Sequence, residues 1–446
     1  MSRSMRNIQQ LQPCRQRGAV AVLLTVAMLA LLVMAGLALD GGHLLLNKTR
    51  LQNAVDAAAL SGAKTLLRQR GNPTDMEALA RADALDTLAR NAAAVGNEEL
   101  AERSSAADFA VVEFSRALYG PYSTSAPADA AYVRVSVEEF GLTGFFWRLM
   151  SLASGSSLPD KEVAAVAVAG PSPSAPCDLV PILVCVDPSI PPSSEGYWGF
   201  RFGELSRLST PANNQALKKG EYLWVDMAGI GGGANELREA LACGSHECLA
   251  VGQNVNVQPG QNTGPVQGGV NARFEGSNFF CPNTTPPARA PRDLVTTFTQ
   301  RIVLDGEVAK YAGEPVVADA DGNLTAGTQA LFDYQDWARD SANCLAGTGG
   351  ASCNSDGAYQ RRILPIVLGD CTGKVAGKVE VPIVGFGCFY LVQDINNPSA
   401  PVFGQFVESC ETTEGYPTIN PSATSGPQVI QLFKAYQNDG QPGQDS

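Results

Sequence analysis

The chain has 446 residues, enough for two or three domains, because a single hydrophobic core rarely grows past about 250–300 residues. Charged residues make up 17% and the formal net charge is −12. No stretch gathers the basic stripe that a phosphate backbone requires, so nucleic acid is excluded as an expected partner.

The first element is an apolar run. Gly18 to Leu39 reads GAVAVLLTVAMLALLVMAGLAL, without a charge, and as a helix it covers about 33 Å, the thickness of a bilayer's hydrocarbon core. Arg3, Arg6, Arg15 and Arg17 precede it, whereas Asp40 follows it and the next lysine is Lys48. Positive charge beside the run predicts residues 1–17 in the cytoplasm, a transmembrane helix at 18–39 and the remainder outside. A cleaved signal peptide competes, since Met34-Ala35-Gly36 and Ala38-Leu39-Asp40 offer small residues to a peptidase. A signal's apolar region spans about 7–15 residues, however, and this run is longer, so a retained anchor in a bacterial inner membrane is expected.

The cysteines agree with that orientation. Cys14 precedes the span, and Cys177, Cys185, Cys243, Cys248, Cys281, Cys344, Cys353, Cys371, Cys388 and Cys410 follow it. An even set on the outer side reads as a disulfide framework in an oxidising compartment. Sequence proximity suggests local pairs such as Cys243 with Cys248 and Cys344 with Cys353, while overall connectivity stays open.

Beyond the span, LLLNKTRLQNAVDAAALSGAKTLL places Leu44, Leu51, Val55, Ala58, Ala59 and Leu66 near one helical face. Its alanines, with Gly36 and Gly41, would let a neighbouring helix approach closely. Two occupants of that face remain open: the chain's own globular part, or a partner protein contacting Gly36, Leu51, Val55, Ala58 and Ala59. On the second reading a charge at Ala58 abolishes the contact.

Three features occur together in order: Arg17-Gly18-Ala19-Val20-Ala21-Val22, a span closing on Gly36-Leu37-Ala38-Leu39-Asp40, and Thr49-Arg50-Leu51-Gln52-Asn53-Ala54-Val55-Asp56-Ala57-Ala58-Ala59-Leu60-Ser61-Gly62-Ala63. Over about residues 15–68 the chain resembles the N-terminal segment of the TadE/TadG-like pilus-assembly proteins. The resemblance implies a membrane-anchored component of a Tad (Flp) pilus or tight-adherence system, with pilus-assembly or secretion membrane proteins as partners and self-association compatible with it. Subunits cut by prepilin peptidase carry glutamate five residues after the cleavage glycine, and here Leu23 stands five after Gly18. An uncleaved TadG-like anchor is therefore expected.

ALARADALDTLARNAAA predicts a helix within 72–101, entered at Pro73. DFAVVEFSR, AAYVRVSVEEF and KEVAAVAVAG predict strands, with GLTGFFWRLM at 141–150 as an aromatic insert whose Phe145, Phe146 and Trp147 are expected in a core. Residues 40–170 thus read as a long helix with a small pilin-like α+β domain. Residues 171–176, Pro171-Ser172-Pro173-Ser174-Ala175-Pro176, read as a linker. Residues 177–436 read as a loop-rich, mostly-β, disulfide-bonded domain, and 437–446 as a frayed tail. The fold class is α+β. Cys177-Asp178-Leu179-Val180-Pro181-Ile182, Gly269-Val270-Asn271-Ala272-Arg273-Phe274 and Val384-Gly385-Phe386-Gly387-Cys388-Phe389 resemble outer segments of the same family and carry no assigned chemistry.

Candidate chemistry is sparse. The histidines are His43, at the membrane, and His246, inside Cys243-Gly244-Ser245-His246-Glu247-Cys248; oxidised cysteines offer neither a metal ligand nor a nucleophile. Asp319-Ala320-Asp321-Gly322-Asn323-Leu324-Thr325 spaces oxygens like a calcium loop, but its glycine is displaced and Ala330 stands where such a loop ends in glutamate, so a turn is expected. Asp187-Pro188-Ser189-Ile190-Pro191 lacks the second serine of a von Willebrand A metal site, which some TadG-like proteins carry. Ile230-Gly231-Gly232-Gly233-Ala234-Asn235 lacks the lysine of a phosphate loop. The expectation is no catalytic residue, no cofactor and no metal, with an anchored ligand-binding or hydrolytic domain, or an adhesin released by cleavage, as the rivals.

Overall fold

The computed structural model describes residues 17–70, 73–101, 106–146, 161–212, 214–227, 233–258, 263–281, 286–298, 301–417 and 425–434. Cys14, Trp147, residues 230–232 of the glycine-rich turn and the tail at 437–446 lie outside them.

One helix, α1 (Arg17–Arg68, 52 residues), carries the apolar run into the juxtamembrane pattern without interruption, a rod of about 78 Å. Only 6% of its most apolar window is buried, and it is long and apolar enough to cross a membrane. Helix α2 (Pro73–Ala92) starts on a proline whose missing N–H no helix would use and returns along α1; Ser61 and Thr65 both donate to Asp83, at 2.9 and 2.5 Å. The crossing is built from small residues. A methyl group added at Gly62 would stand 3.1 Å from the Ala84 Cβ and 3.3 Å from the Ala80 carbonyl oxygen.

After α3 (Glu98–Ala101) come strands β1 (Val111–Ser115), β2 (Tyr132–Gly141) and β3 (Glu162–Pro176), joined as an antiparallel sheet. The alternation in β2 turns Val133, Val135 and Val137 onto α1, where Leu51, Val55, Ala58, Ala59 and Leu66 are at most 1% exposed. The juxtamembrane face is therefore covered by the chain's own helix and sheet. Of the five residues predicted for partner contact, Leu51, Val55, Ala58 and Ala59 lie buried in this core.

Residues 171–176 are a correction: they form the second half of β3. Among the described residues one strand runs beside Pro171, because β2 accompanies β3 no further than Ala169, and a strand with an open side tolerates proline. The strand beside it comes from the far end of the chain, so the region assigned to a separate second domain returns to complete the first sheet.

The second half contains β4 (Ile182–Cys185), the hairpin β5 (Gly196–Tyr197) with β6 (Phe200–Arg201), β7 (Leu205–Leu208), β8 (Tyr222–Val225), α4 (Ala234–Cys243), β9 (Asn254–Gln258) and α5 (Thr263–Glu275). A meander follows, β10 (Val303–Asp305), β11 (Val308–Tyr311), β12 (Glu314–Ala318), β13 (Leu324–Ala326) and β14 (Gln329–Ala330), then α6 (Tyr334–Leu345). The last strands are β15 (Ile363–Gly369), β16 (Val379–Leu391), β17 (Val402–Val407), β18 (Ser409–Glu411), β19 (Gly415–Pro417) and β20 (Gly426–Phe433). Pairings run β15-β4-β8-β9-β16 and return from β16 to β15, closing a ring from which β17 and β7 extend. Strand β20 pairs antiparallel with β3, and β18 lies parallel to β20. The architecture is α+β, with a helix laid on a small sheet at the N-terminal end and a disulfide-bearing, strand-rich half beyond it.

The ten cysteines that follow the apolar run form five disulfides: Cys177–Cys248, Cys185–Cys371, Cys243–Cys281, Cys344–Cys353 and Cys388–Cys410. The suggested Cys344–Cys353 pair is present. Cys243 and Cys248 are not bonded to each other, because each faces a cysteine brought close by tertiary packing.

Arg362 is fully buried and holds the second half together. Its guanidinium donates to the carbonyls of Leu391 (3.0 and 2.9 Å), Val295 (3.1 Å), Thr297 (2.7 Å) and Val392 (2.9 Å). The rings of Phe274 and Tyr390 face it at 4.7 and 4.8 Å. Asp293 beside it accepts from the backbone N–H groups of Val295 and Arg362 and from the Trp337 indole. Burial raises the Asp293 carboxyl above its ordinary value, against those donors and the Arg362 charge.

Candidate functional site

Helix α1 meets the folded part at two junctions. The lower one lies just past the apolar run. Asp40 is 4% exposed, and its two oxygens accept from the backbone N–H groups of Phe145 and Phe146 at 2.9 and 2.8 Å. Lys161, entering β3, donates to Asp40 Oδ1 (3.3 Å), His43 Nδ1 (2.8 Å) and the Thr143 carbonyl (3.2 Å), which uses all three ammonium donors. On the other side of the ring, His43 Nε2 faces Glu99 at 2.7 Å and the Asn47 amide nitrogen at 3.0 Å. Glu99 also accepts from Asn47 and from the Thr143 N–H.

This network ties the helix, α3 and the 141–146 segment to one another. A buried carboxylate and a buried ammonium are each costly alone, and the hydrogen bonds around them compensate both charges. The geometry offers no nucleophile and no open ligand position; its chemistry is positional.

Phe145 and Phe146 depart from the core placement expected for them. Phe145 is 63% exposed and Phe146 36%. Phe145 stands edge-on to His43, ring centroids 5.2 Å apart, and Phe146 lies on Gly36, where an added Cβ would come within 3.0 Å of it. Gly36, predicted for contact with a partner helix, is instead buried by the chain's own phenylalanine.

The upper junction joins the end of α1 to the second half. Arg68 is bidentate on Glu411, at 2.8 and 3.1 Å, and lies over the Tyr359 ring. Lys64 adds a contact of 3.3 Å to the same carboxylate, and the Gln69 side chain donates to the Ala342 carbonyl. Beside this junction opens a cleft of about 560 Å³ bordered by Arg68, Arg70, Glu195, Asp321, Gln335 and Glu408.

Of the other sequence candidates, the 319–325 loop reaches the cleft beside the upper junction through Asp321. His246 bonds the exposed Glu414 at 2.8 Å. Asp319 accepts from the N–H groups of Asp321 and Asn323 and from the Asn323 amide, closing the turn between β12 and β13. Asp187 does the same for Ser189. Among the described residues no cluster of His, Cys, Asp or Glu has the arrangement of a metal site. The lower network escaped sequence reading because Asp40 and Lys161 are 121 positions apart. Its one visible trace is a lone acid placed against the end of the apolar run.

Residues 18–65 match a family model described as Flp pilus-assembly TadE/G-like (Tad), which is the family resembled by the sequence. The match coincides with α1, from the apolar run to the edge of the upper junction. No curated protein and no solved structure matches the chain.

Proposed function

We propose that the protein is a non-enzymatic, membrane-anchored component of a Tad (Flp) pilus-assembly or tight-adherence system. The observation that carries this is the TadE/G-like match over residues 18–65, falling on a helix whose apolar end is bare and whose other end forms the spine of the folded part.

The four arginines ahead of the apolar run favour an N-terminus in the cytoplasm. Five disulfides favour an oxidising outer compartment for the remainder, the periplasmic side of an inner membrane. Because the family-matched face of α1 is filled by the chain's own core, contacts with pilus-assembly or secretion proteins fall to the sheet, the meander and the loops. The anchor carries the domain and positions it.

The test is electron microscopy of surface filaments, with a surface-adherence assay, in a deletion strain and in the same strain carrying the intact gene. Filaments lost on deletion and restored by the gene support the assembly reading. Unchanged filaments and adherence refute it and leave the rival, a ligand-binding domain on an anchor, with the cleft beside Arg68 as its site.

A further inference from the structure

The apolar surface of α1 does not stop where the uncharged run stops. Asp40 is the sole Asp, Glu, Lys or Arg between Arg17 and Lys48, and it is turned into the protein against Lys161 and two backbone N–H groups. Exposed large side chains stand on both sides of it: Leu37 and Leu39 before it are 54% and 58% exposed, and Leu45 and Leu46 beyond it are 65% and 49% exposed. From Leu39 to Leu46 the helix climbs about 10 Å, so its outward surface stays apolar well beyond the boundary set by charge alone.

The aromatic segment is fastened at this same level. Phe146 packs on Gly36, three residues inside the run and therefore about 4.5 Å below its end along the helix. A side chain held there stands at the depth of the residue it touches. Phe145, next to it, presents most of its ring outward while its backbone N–H is held by Asp40. Amides entering a bilayer must have their hydrogen bonds satisfied internally, and the Asp40 carboxylate does this for both phenylalanines.

We propose that Phe145 and Phe146 insert into the outer leaflet, so that the chain meets lipid through an aromatic wedge as well as through its helix, with the Asp40–Lys161 pair as the clasp joining them. The occupant is the bilayer, because the wedge is continuous with the bare surface of the spanning helix and shares its depth. A wedge fixed to the helix sets the tilt of the folded part on the membrane, where a helix alone would leave it free to turn. The inference rests on α1 spanning the membrane, and the experiment separates the two.

Full-length protein carrying Cys14→Ser is reconstituted in phosphatidylethanolamine/phosphatidylglycerol vesicles with a nitroxide at one position: Phe145→Cys, Leu32→Cys in the span, or Val251→Cys, which is 61% exposed in the second half. Accessibility to oxygen and to a water-soluble nickel complex reports depth. The expected result is a membrane-like ratio at Phe145 and Leu32 and a water-like ratio at Val251. A water-like ratio at Phe145 with Leu32 membrane-like overturns the wedge and leaves the anchor standing; water-like ratios at both positions overturn the anchor and the wedge together. A photo-reactive benzoylphenylalanine at position 145 keeps the aromatic ring and adds no thiol to the disulfide set. Cross-linking to phospholipid supports the wedge, and cross-linking to protein alone refutes it.

Discussion

Replacing Arg362 by methionine removes a buried cation of similar length and leaves four main-chain carbonyls, those of Val295, Thr297, Leu391 and Val392, without its five hydrogen bonds. The Thr297 carbonyl is only part-buried, whereas the other three are buried; each buried acceptor left unpaired costs about 1–3 kcal/mol, which sums to about 3 kcal/mol at the lowest. Relief from desolvating the guanidinium opposes this, but such relief wins only when the charge's partners are replaced as well, and here they are backbone. Asp293, buried beside it, also loses a compensating charge. Against a typical stability of about 5–15 kcal/mol, Arg362→Met is expected to unfold the second half or to lower its stability by at least about 3 kcal/mol. Arg362→Lys keeps the charge but cannot span the same carbonyls, and should fall in between. The assay is urea unfolding of the detergent-solubilised full chain followed by near-ultraviolet circular dichroism. A loss below about 1 kcal/mol for the methionine variant, a single net hydrogen bond's worth, refutes the reasoning and shows the carbonyls re-paired.

Gly62→Leu forces a side chain against the Ala84 Cβ and the Ala80 carbonyl, and overpacking there should cost about 1–3 kcal/mol, read as a lowered melting temperature; an unchanged one would mean the α1–α2 crossing is looser than described. Ala58→Glu should unfold the N-terminal domain itself, because Ala58 is 0% exposed in its core, and a folded variant lacking only pilus-partner binding would reverse that assignment. Removing Cys185–Cys371, whose cysteines lie 186 positions apart, has a chain-entropy ceiling of about 5 kcal/mol, and a Cys185→Ser/Cys371→Ser variant should show a large part of it in the same urea assay. Asp293 gives a pH signature. Its folded pKa is raised, so its protonation contributes stability below the unfolded value of 3.8, and that contribution is lost as pH rises through the folded value. The destabilisation by Asp293→Asn should therefore be largest near pH 4 and shrink toward neutrality; a penalty that grows with pH would place the shift in the other direction.

Helices, strands and the membrane run were legible in the sequence because each is encoded by neighbours: 22 uncharged residues from Gly18 to Leu39, alanines and leucines recurring at helical spacing to Leu66, and the alternation that makes Val133, Val135 and Val137 one face of a strand. The family signature was legible for the same reason, since it lies wholly within α1. Amphipathicity states only that a face is covered, and it took the tertiary structure to show that α2, β2 and β3 cover Leu51, Val55, Ala58 and Ala59. Proline and serine at 171–176 suggested a linker; the return of β20, whose Gly426 is 250 positions beyond Pro176, made the segment a strand. Disulfide partners, the carbonyl cage of Arg362 and the Asp40–Lys161 clasp are pairings across long loops, and no local pattern specifies which distant residue fills a given site. A chain's periodicity determines what its segments are; the packing of those segments against one another decided which face of this protein is core, which is junction and which is left bare.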